Sequence, residues 1–121
     1  MTTGILQRAI LILMSGLIGL SMPVLAAEVP SMTLVIHDGQ FQPDKLMLPS
    51  GVKIKLIVKN QDDLPAEFES YELSREVIVP AHKDVSLYIG PLDPGSYPYF
   101  NDLNHAMTGN VVVEQSGKKA N

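Results

Sequence analysis

Four side chains of this 121-residue sequence have the types and the spacing of metal ligands. Glu67 and Glu69 are two residues apart, so an extended strand places both carboxylates on one face. His105 and Met107 are separated only by Ala106, in a polar segment expected as a loop between two strands. A one-residue spacer lets such a loop curve around one ion. The sequence therefore offers two pairs of candidate ligands for a cation.

The chemistry of these donors favours different metals. Two carboxylates with one imidazole suit Fe²⁺, Mn²⁺ or Zn²⁺, whereas an imidazole with a thioether suits copper. Each pair also has a purely structural interpretation. Glu67 and Glu69 can be solvated glutamates at a sheet edge, and Met107 can fill the open end of a sandwich beside an exposed His105. Asp102 is a further oxygen donor, although aspartate is more typical of a turn.

Composition restricts the function further. The chain is 45% hydrophobic and of the size of one domain, and its formal charge of −4 opposes binding to nucleic acid. It contains no cysteine, so it can form neither a disulfide nor a copper–thiolate bond. No serine stands in a recognisable Ser–His–acid combination, and no glycine pattern is typical of phosphate binding. We therefore expect a binding protein rather than an enzyme.

The first 26 residues have the layout of a secretory signal peptide. Arg8 precedes an apolar run from Ala9 to Leu20, and small residues occupy the −3 and −1 positions at Val24 and Ala26. The run is shorter than the ~20 residues that span a bilayer. We predict cleavage after Ala26, leaving a domain at 27–116 and a flexible tail at 117–121. The cleaved protein is expected in the periplasm, without stable membrane insertion.

The remaining sequence alternates apolar and polar residues with the period of a strand. The clearest example runs from Val52 to Asn60, where Ile54, Leu56 and Val58 alternate with polar or outward positions. Turn-forming residues separate about seven or eight such segments, and no helical period appears after residue 26. The pattern predicts an all-β, antiparallel β-sandwich.

Two segments resemble the cupredoxins, the small copper-binding sandwiches. One is the opening from Phe41 through Pro43 to the turn at Pro49-Ser50-Gly51, and the other is the final hairpin from Gly95 to Val113. The resemblance implies a Greek-key β-sandwich with a metal site near that hairpin. It puts Asn101 at the position of the copper cysteine, His105 at or beside that of the histidine, and Met107 at that of the axial methionine. Type 1 copper is therefore not expected.

Two further segments, Pro65–Ser70 and Ile89–Tyr97, are similar to the cupredoxin-like domain of periplasmic iron-uptake systems of the EfeO type. The similarity extends from about Met32 to Glu114. It implies an acidic ligand at Glu67, whereas Asn101, Tyr99 and Phe41 replace sulfur ligands.

The implied function is that of a periplasmic accessory protein that binds iron or copper for a metal permease or another uptake component. Assistance to Fe²⁺ oxidation is expected only if copper is bound. The alternative is a metal-free interaction module of the same assembly.

Overall fold

The computed structural model describes residues 28–115, together with Gly16, Ile18, Gly19 and Ser21. The predicted signal peptide, apart from those four positions, and the predicted tail lie outside the described residues. Within the described part of the chain, nine β-strands form two sheets. None of the described residues belongs to a helix of the length and hydrophobicity needed to span a membrane.

The first sheet has four strands in the order β2-β1-β4-β7. Their bounds are β1 Ser31–His37, β2 Gln40–Gln42, β4 Ile54–Asn60 and β7 Asp84–Ile89. The turn from β1 to β2 is made by Asp38 and Gly39, both with positive φ, as an Asp-Gly pair in a tight hairpin favours. Asp62 fastens this turn, because its carboxylate accepts hydrogen bonds from the backbone N–H groups of Asp38 at 2.8 Å and Gly39 at 2.9 Å.

The second sheet has five strands in the order β3-β9-β8-β5-β6. Their bounds are β3 Lys45–Pro49, β5 Ala66–Ser70, β6 Arg75–Val79, β8 Gly95–Asn101 and β9 Asn104–Glu114. The predicted all-β sandwich is confirmed. It is not purely antiparallel, because β1 pairs in parallel with β4 and β3 in parallel with β9. The described strands number nine rather than seven or eight, since the short β2 is a strand of its own.

The core lies between the sheets and follows the predicted alternation. Ile54, Leu56 and Val58 of β4 are all at most 2% exposed, and their side chains face the inward residues of the other sheet. An aromatic cluster occupies the middle, where the Tyr99 ring centroid lies 5.0 Å from that of Phe41 and 4.9 Å from that of Phe68. Removing this apolar area from water is the main source of stability for a sandwich without disulfides.

The final hairpin differs from the sequence expectation. The segment from Asn101 to Thr108, expected as an open polar loop, is mostly strand: Asn101 pairs with Asn104 across a two-residue turn, and Phe100 pairs with Thr108. The extra residues on β9 between these two pairs form a β-bulge, which re-aims side chains locally. Through this bulge His105 is exposed, whereas Met107 is buried.

Gly109 of β9 lies directly opposite Tyr99 of β8, and a Cβ at position 109 would overlap the Tyr99 ring. The ring is fixed between Phe41 and Phe68, so it cannot move away without disturbing the core. We predict that Gly109→Ala lowers the free energy of unfolding by about 1–3 kcal/mol, as overpacking does. Urea denaturation measures this, with Thr108→Ala at the exposed neighbouring position as control. Equal midpoints for the two variants would contradict the prediction.

Candidate metal centre

Glu67 and Glu69 lie on the outer face of the five-stranded sheet, because the intervening Phe68 of β5 is fully buried in the core. The adjacent strand β6 brings a third glutamate, since Glu76 pairs directly with Glu69. One carboxylate oxygen from each of Glu67, Glu69 and Glu76 lies within 4.8 Å of the others. We call these three residues the acidic triad. Such an arrangement of oxygen donors has the dimensions of a cation site.

The three carboxylates of the acidic triad repel one another when they are charged. A hydrogen bond with Glu76, burial, and the negative charges of Glu76, Asp102 and Glu69 together raise the pKa of Glu67 from 4.5 to about 7. Burial and the charges of Asp102 and Glu76 also raise the pKa of Glu69, while His105 opposes that rise. At neutral pH the triad therefore retains a proton for part of the time, because three adjacent carboxylates resist ionising together.

The turn of the final hairpin extends this acidic region. Asp102 donates its backbone N–H to the carbonyl of Glu67 at 3.0 Å, which fixes the turn beside β5. After burial, the negative charge of Asp102 is the largest cause of the raised pKa of Glu69, and Asp102 Oδ1 lies 2.9 Å from His105 Nε2. The structure thus brings Glu67 and Glu69 together and connects them to His105 through Asp102. His105 itself is not among the three residues whose ligand atoms lie within 4.8 Å.

Met107 lies elsewhere, on the inward side of β9, with 4% of its surface exposed. Its sulfur accepts a hydrogen bond from Asn101 Nδ2 at 3.5 Å. The other end of the same amide is also engaged, because Asn101 Oδ1 accepts the backbone N–H groups of Glu67 at 2.9 Å and Leu103 at 3.0 Å. The Asn101 side chain is therefore a buried connector between β5, the turn and β9, and the structure does not gather Met107 with the triad.

This end of the sandwich does not fit type 1 copper. Such a site needs a thiolate and two imidazoles in one plane, and the sequence has no cysteine. The small cavity here is lined by Ala66, Asn101 and Met107 among others, and Ala66 rather than Glu67 is the residue of β5 that faces inward beside it. Both polar ends of the Asn101 amide are already occupied by hydrogen bonds.

A second group with ligand-like geometry is explained by the fold. Side-chain atoms of His37, Asp38 and Asp62 lie within 4.8 Å of one another. Both carboxylate oxygens of Asp62, however, hold the β1–β2 turn through backbone N–H groups. We therefore assign this group a structural role.

Sequence reasoning missed Glu76 as a member of the acidic triad. The signal that reveals it is the hairpin of β5 and β6, in which four residues after Ser70 reverse the chain and set Glu76 opposite Glu69. The sequence of Tyr71–Arg75 is polar and has no strand period, so it does not determine the register across this segment.

Comparison with known proteins agrees with the fold. Residues 9–113 match the model of the cupredoxin-like domain, and the chain belongs to this family. An uncharacterized protein of Rickettsia prowazekii (strain Madrid E) is 41% identical over 80 residues, which are 66% of this chain. The matched region spans 64% of the length of that relative.

Among solved structures, a copper-binding protein in its apo form superimposes with a TM-score of 0.62 at 17% identity, covering 69% of this chain and 86% of that one. The metal-binding domain of a Cu(I)-exporting P-type ATPase from Streptococcus pneumoniae D39 superimposes with a TM-score of 0.60 at 10% identity. The match covers 69% of this chain and 84% of that domain. A reduced amicyanin variant superimposes with a TM-score of 0.55 at 16% identity, covering 69% of this chain and 82% of that one. These similarities establish a shared cupredoxin-like fold.

The raised pKa of Glu67 makes stability depend on pH. The folded state holds this proton up to about pH 7, whereas the unfolded chain releases it near 4.5, so the contribution to stability is lost as pH rises through this window. We predict that Glu76→Gln lessens this loss of stability with rising pH and makes the protein more stable than wild type at pH 8. Thermal melts at pH 5 and pH 8 test this, with Glu114→Gln as control. Parallel pH profiles for wild type and Glu76→Gln would contradict it.

The hydrogen bonds of Asn101 lead to a second stability prediction. Asn101→Ala leaves the N–H groups of Glu67 and Leu103 without their acceptor, and each buried unsatisfied group costs about 1–3 kcal/mol. We expect a loss of about 2–4 kcal/mol in the free energy of unfolding, measured by urea denaturation.

The matched control is Asn104→Ala in the same hairpin, whose exposed side chain makes one 3.3 Å bond to the Ala106 N–H. We expect that change to cost under about 1 kcal/mol. If Asn101→Ala lowered the free energy of unfolding no more than Asn104→Ala does, the Asn101 amide would not be the connector described above.

Proposed function

We propose that this protein is a periplasmic metal-binding accessory of a metal-uptake system, and that it holds an iron or copper ion at the acidic triad. The observation that carries the proposal is the 4.8 Å clustering of the Glu67, Glu69 and Glu76 carboxylates. The proton that this cluster retains up to about pH 7 is the charge that a cation would replace. The role is binding and delivery, not blue-copper electron transfer.

The donor set determines which cations are suitable. Oxygen ligands from three carboxylates, with the nearby imidazole of His105, suit Fe²⁺ and also Mn²⁺ or Zn²⁺, while an imidazole donor is also compatible with copper. Ligands must be deprotonated to bind a metal, so binding at neutral pH releases protons. In this proposal Glu67, Glu69 and Glu76 hold the ion, and Asp102 keeps His105 near them through its 2.9 Å contact with His105 Nε2. Met107 remains a core residue.

The setting of the function comes from the resemblance to the EfeO-type cupredoxin-like domain. In this proposal the chain is exported, is cleaved after Ala26, and works in the periplasm as a carrier rather than an enzyme. It delivers its ion to an iron permease or another component of the uptake system. It would assist Fe²⁺ oxidation only with copper bound. Membership of the cupredoxin-like family and the copper-binding neighbour of the same fold support a metal-related role.

A second candidate is a metal-free cupredoxin-fold interaction module in the same assembly. The observation that favours it is Asn101, whose side chain replaces a ligand by three hydrogen bonds that join β5, the turn and β9. With these hydrogen bonds, the end of the sandwich where the resemblance to cupredoxins implies a metal site can be held together without a metal. The two candidates differ in whether the acidic triad binds a cation.

Calorimetric titration with Fe²⁺ under anaerobic conditions, and with Zn²⁺ and Cu²⁺, separates them. We expect Glu67→Gln and Glu76→Gln each to weaken binding at least about tenfold, and the double variant to lose less than the product of the two effects, because half a site binds poorly. Titration in buffers of different ionisation enthalpy should show proton release that is larger at pH 6 than at pH 8.5.

Glu114→Gln, at the far end of β9, is the control that changes the same charge outside the triad. Equal affinities for wild type and both triad variants would eliminate this site and leave the interaction module. Binding of Cu²⁺ with an intense blue colour would contradict the assignment of Asn101.

A further inference from the structure

The outer face of the five-stranded sheet carries an aromatic groove beside the acidic triad. Three rings form its wall: the Phe100 ring centroid lies 5.5 Å from that of Tyr71 and 5.5 Å from that of His105. Pro98, Thr108 and Asn110 continue the lining along β8 and β9, and the groove has a volume of about 560 Å³. Tyr71 is 72% exposed, so a large ring faces solvent where a partner can reach it.

One side of this groove is strongly negative. Glu69 of β5 pairs with Glu76 on one side and with Phe100 on the other, so a carboxylate and the central ring are direct cross-strand neighbours. Facing side chains in such pairs are about 5 Å apart. The charge of Glu69 is the largest influence on the Tyr71 hydroxyl, whose pKa it raises. The negative potential therefore extends over the aromatic wall.

Within residues 28–115, no lysine or arginine forms an ion pair with the carboxylates on this side. Of the ion pairs found in residues 28–115, none involves Glu67, Glu69 or Glu76. Arg75 is adjacent, but its guanidinium donates to the backbone carbonyls of Tyr88, Leu73 and Ser74. Aromatic rings next to carboxylates that form no ion pair within residues 28–115 match a lysine or arginine side chain. The apolar stem of such a side chain packs on the rings while its charged head meets the carboxylates.

We propose that this groove is a docking site for a lysine- or arginine-bearing segment of a partner protein. An extended segment fits better than a small cation, because the lining from Phe100 to Pro98 and from Thr108 to Asn110 follows two strands side by side. The inference goes beyond metal binding, since Tyr71, Phe100 and Pro98 are not part of the acidic triad.

The test uses protein expressed from the full 121-residue chain, labelled with ¹⁵N and treated with EDTA. The probe is the capped peptide acetyl-Gly-Lys-Leu-Lys-Gly-amide, and the comparison peptide has norleucine in place of both lysines. We expect the lysine peptide to bind at least about tenfold more tightly and to weaken as salt rises. The largest chemical-shift changes should fall on Tyr71, Phe100, Thr108 and Asn110.

Tyr71→Ala should weaken the lysine peptide about fivefold, a typical cation–π contribution. The matched control is Tyr88→Ala, since Tyr88 is a 47% exposed tyrosine that belongs to the other sheet and should leave binding unchanged. Tyr71→Ala should also keep the wild-type metal affinity, whereas Glu67→Gln should weaken metal binding at least about tenfold. Failure of one proposal is therefore distinguishable from failure of the other.

Five results would overturn the docking site, four of them from the binding experiments. These four are absence of peptide binding at millimolar concentration, equal affinity for the norleucine peptide, shift changes centred outside the groove, and equal binding of spermidine, which would indicate a free polyamine. Groove resonances that move on dilution without peptide would identify a second copy of this chain as the occupant, and would also overturn it.

Discussion

The buried amide of Asn101 is the interaction on which the functional end of the molecule depends. It accepts two backbone N–H groups, from Glu67 and Leu103, and donates to the sulfur of Met107. Because a carboxamide has both an acceptor and a donor end, one side chain joins three parts of the chain that a metal–ligand cluster could otherwise join. The turn that presents Asp102 and His105 is thereby held without a metal.

This connection separates the inner and outer sides of the five-stranded sheet. On the inner side, Ala66, Asn101 and Met107 close the end of the core. On the outer side, strand alternation places Glu67 and Glu69 on one face, where Glu76 and Asp102 join them and Glu67 is only 9% exposed. The proposed cation chemistry is therefore displaced from the end of the sandwich to the face of a sheet. The raised pKa of Glu67 reflects its hydrogen bond with Glu76, its burial and the other carboxylates crowded there.

The same face combines two kinds of recognition. Carboxylates on β5 and β6 are next to the Phe100 ring, because the strand order β9-β8-β5-β6 sets Phe100, Glu69 and Glu76 in one row. The rings of Tyr71 and His105 contact Phe100. A cation held by the triad and a cationic segment in the groove would both respond to the negative charge of Glu69. Metal binding and partner binding are thus expected to influence each other through that residue.

The sequence by itself determined the all-β sandwich, its core residues and the absence of type 1 copper. Period-two alternation fixes which residues of β4 are buried, and a chain without cysteine cannot supply a thiolate. It also placed Glu67 and Glu69 on one face, since that relation is local to one strand. Only the tertiary structure decided which face that is, that Glu76 completes the triad, and that His105 and Met107 diverge. Those relations depend on hairpin register and on a bulge in β9, and a one-residue change of register would send each side chain to the opposite side of the sheet.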